Sequence, residues 1–320
     1  MSDKLWMTVA VLVLVAILAG SYFVRNTLKL NPWADRMLLD KGMELPIIWL
    51  YYDTSQVNSR HWLDFGDRST RAINMPFLNL CYQTIVRANG QDYKIEVIGG
   101  LDGLKERIPE SELPLKLRSR FASVGPAEKN YIRSALLAKY GGLWLEPGTI
   151  ALKGFGPLPK DQIVFFGTDL EQTFSGTGGT AVPGFRAQWV PYMGHPLVVE
   201  AAAAAKRRLD NSGGGGQIRG DDKWDYVAFY QGRPGVVVDV TAELARKGKS
   251  GRRIELDDLL AAGQEGHFMF DVPASAVYLA LPMRDIELRR QYGWFLRLSE
   301  NQILDSDLII SDLFRRVLSR

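Results

Sequence analysis

The sequence predicts an α/β fold, in which buried strands alternate with amphipathic helices. A continuous apolar run at residues 47–52 is typical of a strand buried on both faces. A helical pattern at residues 75–87 is followed by an alternating strand pattern at residues 93–98. A second helical pattern, at residues 126–140, leads into a short apolar strand at residues 143–145. Strand, helix and strand in this order form the βαβ unit of a parallel sheet.

Composition bounds the class of protein. The chain has 320 residues, of which 46% are hydrophobic and 23% are charged, so it can bury a sizeable core. The formal net charge of +3 is small for this length, and no basic cluster is interleaved with stacking aromatic residues, so no nucleic-acid partner is predicted. The single cysteine, Cys81, excludes an intramolecular disulfide and a cysteine-based zinc site.

Residues 5–24, which begin at Leu5 and end at Val24, carry no charge and predict a membrane-spanning helix. Twenty helical residues span about 30 Å, which is the thickness of the hydrocarbon core of a bilayer. We therefore predict an uncleaved anchor at residues 1–25 that contacts the lipid bilayer, a connector at residues 26–44 and one domain at residues 45–320. A cleaved signal peptide is the competing interpretation, which the length of the apolar run disfavours.

Charges around the predicted span indicate its orientation. Four basic residues follow the span, namely Arg25, Lys29, Arg36 and Lys41. Only one lysine or arginine precedes it, namely Lys4. Because positive residues accumulate on the cytosolic side of a membrane, we predict a single-pass protein whose soluble domain is cytosolic. A lumenal domain is the alternative.

The most informative stretch of the sequence is residues 128–154. Its helix carries an apolar stripe and ends at the pair Gly141-Gly142, which can supply the positive φ that closes a helix. The short apolar strand that follows ends at Glu146, and Gly148 lies two residues further on. The pattern predicts a helix, a sharp turn and a strand with a carboxylate at its end.

This stretch resembles the signature of DXD-containing sugar transferases, the family of capsular polysaccharide synthesis proteins and initiating α-mannosyltransferases. In that family such a helix runs through Tyr-Gly-Gly into Trp-Leu-Asp-x-Asp. Here Glu146 and Gly148 occupy the two Asp positions, so the DXD motif is degraded. The Ser-Asp pair that opens the family helix aligns with Lys129 and Asn130.

Two shorter stretches resemble the same family. Residues 45–49 are similar to the first strand of its members, and His195 lies in a Gly-His-Pro step before an alanine-rich helix at residues 197–209. The resemblance covers roughly residues 45–210. It implies a GT-A-like nucleotide-sugar transferase fold.

The resemblance also implies a function, a membrane-anchored glycosyltransferase that moves a sugar from a nucleotide-sugar donor to a saccharide acceptor. In that family paired carboxylates hold Mn²⁺ or Mg²⁺, which neutralises the donor diphosphate. Glu146 is accordingly predicted to be the metal ligand and a catalytic residue, and Arg133 to be a catalytic cation that replaces part of the missing charge. The residues implied to bind the donor or the metal are Tyr51, Tyr52, Asp53, Asn130, Gly148 and His195.

The degraded motif leaves an alternative function open, a catalytically inactive glycosyltransferase-fold protein with a structural or binding role at a membrane. The tail at residues 286–320 resembles tails of membrane proteins from large DNA viruses. Asp221, Asp222 and Asp225 either replace the missing carboxylates or lie in a solvated loop or at a helix amino terminus. Three or more carboxylate or imidazole groups near Glu146 would favour the active protein, whereas a neighbouring side chain that closes the site would favour the inactive one.

Overall fold

The computed structural model describes residues 45–52, 75–119, 122–168, 182–211, 226, 228–246, 251–263 and 271–319. The described residues from Pro46 onward belong to one compact unit. The predicted anchor at residues 5–24 and the connector at residues 26–44 lie outside this description. Within the described ranges, no helix is both long and apolar enough to cross a membrane. The membrane anchor and its orientation therefore stay predictions.

The strands form two sheets. They are β1 (Ile47–Tyr52), β2 (Lys94–Gly99), β3 (Gly142–Leu145), β4 (Thr149–Ala151), β5 (Ile163–Thr168), β6 (Pro183–Val190), β7 (Val236–Asp239) and β8 (Tyr278–Ala280). The larger sheet has the order β2-β1-β3-β6-β5-β7, and β4 pairs with β8 in the smaller one. In the larger sheet β1 is parallel to β2 and β3, and β5 is parallel to β7, whereas β6 is antiparallel to both of its neighbours.

Helices connect and cover these strands. They are α1 (Pro76–Asn89), α2 (Gly100–Arg107), α3 (Leu115–Arg118), α4 (Pro126–Tyr140), α5 (Pro196–Asn211), α6 (Leu256–Leu259), α7 (Met283–Leu288), α8 (Glu300–Asp305) and α9 (Ile309–Leu318). Because α1 connects the parallel strands β1 and β2, the predicted βαβ unit is present, and the predicted α/β class is confirmed.

Strand β1 is buried on both faces, which explains its continuous apolar sequence. Trp49 and Tyr51 pack in the apolar cluster that contains the buried face of α4. Ile48 and Leu50, which point to the opposite face, pack in the cluster that contains Ile85 of α1. Helices therefore cover both faces of the sheet where β1 runs through it.

The end of α4 depends on two glycines. Gly141 and Gly142 have φ values of 68° and 96°, a region that residues with a side chain rarely adopt. A Cβ atom at Gly142 would lie 2.4 Å from the carbonyl oxygen of Ile47 in the neighbouring strand. The close approach of β1 and β3 therefore requires glycine here, and the helix, turn and strand predicted from the sequence are confirmed.

Candidate functional site

The candidate site lies where the central parallel strands end. Trp49 of β1 pairs with Trp144 of β3, so Tyr51 and Glu146 reach the same edge of the sheet. The main-chain nitrogen of Glu146 donates a hydrogen bond of 2.9 Å to the carbonyl oxygen of Arg186, which holds the end of β3 against β6. In open α/β sheets, ligands bind outside the carboxyl ends of the strands.

The Glu146 carboxylate makes two polar contacts at this edge. The ammonium of Lys129, in the first turn of α4, lies 2.6 Å from Oε2, and the indole nitrogen of Trp144 donates a 3.3 Å hydrogen bond to Oε1. The side chain of Glu146 is 19% exposed and that of Lys129 is 38% exposed. Glu146 is therefore a partly buried carboxylate that a lysine already neutralises.

Arg133 lies behind this pair, in a cage of aromatic rings. Its guanidinium carbon lies 4.8 Å from the ring centre of Phe185, 4.6 Å from that of Tyr226 and 6.0 Å from that of Trp144. It donates hydrogen bonds to the carbonyl oxygen of Phe185 at 2.9 Å and to Oδ1 of Asn130 at 2.6 Å. Arg133 is only 2% exposed, and its connection to Glu146 runs through Trp144, whose ring it faces and whose indole nitrogen donates to Glu146.

Asn130 connects this cage to a cavity. A volume of about 440 Å³ opens between α4 and α5, with Asn130, Tyr226 and Arg208 on its polar side. The remaining described lining residues are Ala127, Ala201, Ala204, Ala205, Leu209 and Phe229. The predicted contact residue Asn130 therefore sits between the buried Arg133 and an open volume of ligand size.

Gly148, the position of the second family carboxylate, is covered by another part of the chain. A Cβ atom there would lie 2.4 Å from the sulfur and 2.6 Å from Cγ of Met283, the first residue of α7. The main-chain nitrogen of Leu281 donates a 2.7 Å hydrogen bond to the carbonyl oxygen of Gly148. A carboxylate side chain at this position would have to displace the side chain of Met283.

A second ion pair, which the sequence analysis did not anticipate, lies beside the first. Arg186 of β6 pairs with Glu243, whose side chain is only 4% exposed. Burial acts to lower the pKa of Arg186, but the adjacent Glu243 carboxylate outweighs burial, so the pKa is raised overall. Burial, and then the charge of Glu243, raise the pKa of Tyr278, whose hydroxyl donates to the carbonyl oxygen of Phe166 at 2.6 Å.

One sequence signal could have found Arg186. Residues 183–190 form a largely apolar strand, in which Arg186 and Gln188 are the polar exceptions, and such exceptions in a central strand indicate a polar site. Lys129 was noted only as a departure from the family motif, and no local pattern indicates Glu243. These three residues were therefore missed as members of the site.

Strand β1 ends with two tyrosines, whose side chains lie on opposite faces of the sheet. Tyr51 is buried and stacks on Trp144, with ring centres 6.5 Å apart and planes 19° apart. The hydroxyl oxygen of Tyr52 lies 3.8 Å from the sulfur of Met75. Tyr52 and Pro147 line an apolar cavity of about 290 Å³. Asp53, predicted to lie beside them, is outside the described residues. The donor-binding roles of all three stay predictions.

His195 lies at the other end of α4 from this site. The main-chain nitrogen of the preceding Gly194 donates to the carbonyl oxygen of Ala138, 2.7 Å away, near the end of α4. Ala138 and Lys129 are nine positions apart in the helix, a rise of about 13.5 Å. The structure therefore brings Lys129, Asn130, Arg133 and Glu146 together but does not bring His195 to them.

The described residues do not fit a divalent-metal site. A hard cation needs several oxygen ligands, but the Glu146 carboxylate is paired with Lys129, and Gly148 supplies no side chain. No group of three or more histidine, cysteine, aspartate or glutamate residues close enough to hold a metal occurs in the described part of the chain. Asp221, Asp222 and Asp225 are outside it.

Comparisons with known proteins found similar solved structures but no matching family or curated protein. Among solved structures it is similar to the apo-form glycosyltransferase GlyE of Streptococcus pneumoniae TIGR4, with 10% identity and a TM-score of 0.38 over 87% of this chain and 64% of that one. It is also similar to the galactosyltransferase LgtC, solved with donor and acceptor sugar analogs, with 9% identity and a TM-score of 0.35 over 78% of this chain and 94% of that one.

A third similar structure is the PaToxG glycosyltransferase, with 14% identity and a TM-score of 0.31 over 53% of this chain and 63% of that one. The chain therefore spans less than two thirds of the length of GlyE and of PaToxG. All three structures are glycosyltransferases, but TM-scores below 0.5 decide neither a fold nor an activity.

Proposed function

We propose that this chain is a glycosyltransferase-like protein of GT-A type, which binds a nucleotide-sugar donor where β1 and β3 end and transfers the sugar to a saccharide acceptor. The observation that carries the proposal is the convergence of Lys129, Asn130 and Glu146 at the carboxyl edge of a largely parallel sheet. This is the edge at which α/β proteins bind nucleotides, and the charged groups there are of the kind that contact phosphates.

The reaction proposed exchanges one bond of the sugar for another. The bond between the anomeric carbon and the β-phosphate oxygen of the donor breaks, and a bond forms between that carbon and a hydroxyl oxygen of the acceptor. The hydroxyl proton passes to solvent, and the nucleoside diphosphate departs with the electron pair of the broken bond. The cations beside Glu146 would stabilise the departing negative charge, and the Glu146 carboxylate would hold Lys129 in position for this.

The cavity beside Asn130 is the volume that we propose for the acceptor. Its volume of about 440 Å³ lies in the range of small-molecule sites, and it adjoins the first turn of α4, which also carries Lys129. Aromatic rings from Tyr226 and Phe229 form part of its wall, and such rings pack well against the apolar faces of sugars. The predicted membrane anchor at residues 5–24 would keep this site near a bilayer.

One observation favours a second function, a glycosyltransferase fold that binds its ligands without catalysis. Met283 covers Gly148, and Lys129 occupies the remaining carboxylate. A protein that had lost transfer could tolerate both features. It would bind nucleotide sugars, glycans or other proteins at a membrane without turning over a donor.

Calorimetric titration of the full-length, detergent-solubilised chain with UDP-sugars and GDP-sugars tests the proposed donor site. We expect saturable binding of at least one donor, followed by release of the nucleoside diphosphate when saccharide acceptors are added. Glu146→Ala should abolish transfer, whereas Glu110→Ala, which removes an exposed carboxylate elsewhere, should not. Donor binding without transfer would favour the second function. Transfer that Glu146→Ala leaves intact would remove Glu146 from the site.

A further inference from the structure

We infer that the positive charge facing the donor diphosphate is supplied by the side chain of Lys129, assisted by Arg186, rather than by a metal ion held on paired carboxylates. This inference rests on the proposed function, because it names the group that would contact the donor at the same site. It predicts a glycosyltransferase-type site that binds nucleoside diphosphates in the absence of divalent cations.

The first step concerns the carboxylate that a metal would need. Oε2 of Glu146 lies 2.6 Å from the Lys129 ammonium, and Oε1 accepts a hydrogen bond from Trp144 at 3.3 Å. Lys129 would repel a divalent cation at this carboxylate, because two cations at one carboxylate repel each other strongly in a partly buried site. The lysine thus competes with a metal for this carboxylate.

The second step concerns the missing ligand. At Gly148 the space of a side chain is filled by Met283, whose sulfur would lie 2.4 Å from a Cβ atom. The main-chain nitrogen of Leu281 donates to the carbonyl oxygen of Gly148, and the main-chain nitrogen of Met283 donates to the carbonyl oxygen of Leu281, so this part of the chain lies against Gly148. The packing of α7 therefore opposes a second carboxylate at this position.

The third step concerns the capacity of Lys129 to bind phosphate. An ammonium has three donors, and in the part of the chain that the structure describes Glu146 takes one of them. The side chain is 38% exposed, so solvent and ligands can reach the others. Ammonium groups bind phosphate oxygens as point charges, which requires no fixed coordination geometry.

The fourth step is a comparison of charge. A divalent cation held by two carboxylates is neutral overall, and so is a lysine paired with one carboxylate. In both arrangements the cation faces the donor diphosphate and the carboxylate lies behind the cation. The outward charge of the lysine is half that of the metal, so a second cation is useful. Arg186 lies beside Glu146 in the neighbouring strand, with a main-chain hydrogen bond of 2.9 Å between them, and about a third of its side chain is exposed next to its partner Glu243.

Titration of the full-length chain with UDP and with GDP, in EDTA and in Mn²⁺, tests this inference. We expect equal affinity in the two conditions, and a loss of about tenfold or more in Lys129→Gln, because a charge-assisted contact is removed. Lys139→Gln is the matched control, since Lys139 is on the same helix and is 35% exposed. Lys129→Arg should recover most of the affinity, which a merely structural effect of the first substitution would not produce.

Three results would overturn the inference. Binding that EDTA abolishes and Mn²⁺ restores would overturn it and would leave the proposed donor site intact. Equal losses in Lys129→Gln and Lys139→Gln, with unchanged melting temperatures, would show that Lys129 has no special role. Absence of UDP and GDP binding in both conditions would overturn the inference together with the proposed function.

Discussion

Met283 packs against the main chain of Gly148 so closely that any side chain there would have to displace it, since a Cβ atom would lie 2.4 Å from the Met283 sulfur. These residues are far apart in the sequence, and the antiparallel pairing of β4 with β8 brings them together, with Thr149 opposite Ala280. The absence of a carboxylate at position 148 is therefore matched by the packing around it. The contact between Met283 and Gly148 can be tested by stability measurements.

Gly148→Ala should destabilise the protein, and the loss should depend on Met283. The added methyl group must displace a packed side chain, which costs about 1–3 kcal/mol. Met283→Ala removes the obstacle, so the double variant should be more stable than the sum of the two single losses predicts, by about 1 kcal/mol. Urea unfolding of the four proteins measures this coupling. Strictly additive losses would contradict the contact.

Arg133→Met should lower the free energy of unfolding by about 1–3 kcal/mol, because it removes the buried donor of two partly buried acceptors. The Phe185 carbonyl and the Asn130 side-chain oxygen would each lose a hydrogen bond from a residue that is almost completely buried. Arg207→Met on the exposed side of α5 is the control, with an expected change within about 0.5 kcal/mol. An Arg133 variant of unchanged stability would show that the cage is not structural and would favour the catalytic role predicted from the sequence.

Glu243→Gln should destabilise the protein by about 2 kcal/mol, since it removes the charge that compensates Arg186. The pKa of Tyr278, which the Glu243 charge helps to raise, should fall in the same variant. Chemical denaturation measures the first effect, and the ultraviolet titration of the tyrosines measures the second. A variant with unchanged stability and an unchanged tyrosine titration would mean that the ion pair of Arg186 and Glu243 contributes little to the stability of the protein.

His195 should make the protein less stable in mild acid without affecting the donor site. Burial lowers its pKa below the ordinary value of 6.5, so the unfolded chain binds more protons than the folded one at pH values below about 6.5. The stability contributed by neutral His195 is complete above that pH and is lost as the pH falls through the folded pKa.

The His195→Gln variant checks both parts of this prediction. Urea midpoints at about pH 7.5 and pH 5 should differ less in the variant than in the unmodified chain. UDP and GDP affinity should be unchanged, because His195 lies near the last turn of α4 rather than the first. Reduced nucleotide affinity at constant stability would instead support the donor-binding role that the family resemblance implies.

Much of the architecture could be predicted because it depends on local periodicity. The pattern at residues 75–87 became α1 (Pro76–Asn89), and the pattern at residues 93–98 became β2 (Lys94–Gly99). The sequence also predicted that a carboxylate would follow β3, since the apolar run ends at Glu146. Element boundaries shifted by a residue or two, as expected where helix ends fray.

The sequence by itself determined the α/β class, the helix, turn and strand around Gly141, and the presence of one carboxylate where a pair is expected. Only the tertiary structure decided that Lys129 neutralises Glu146, that Met283 fills the space at Gly148, and that Arg133 is buried. It also placed His195 at the far end of α4. Periodicity and turn chemistry act between near neighbours in the chain, whereas these contacts join distant segments whose meeting depends on strand order and helix packing.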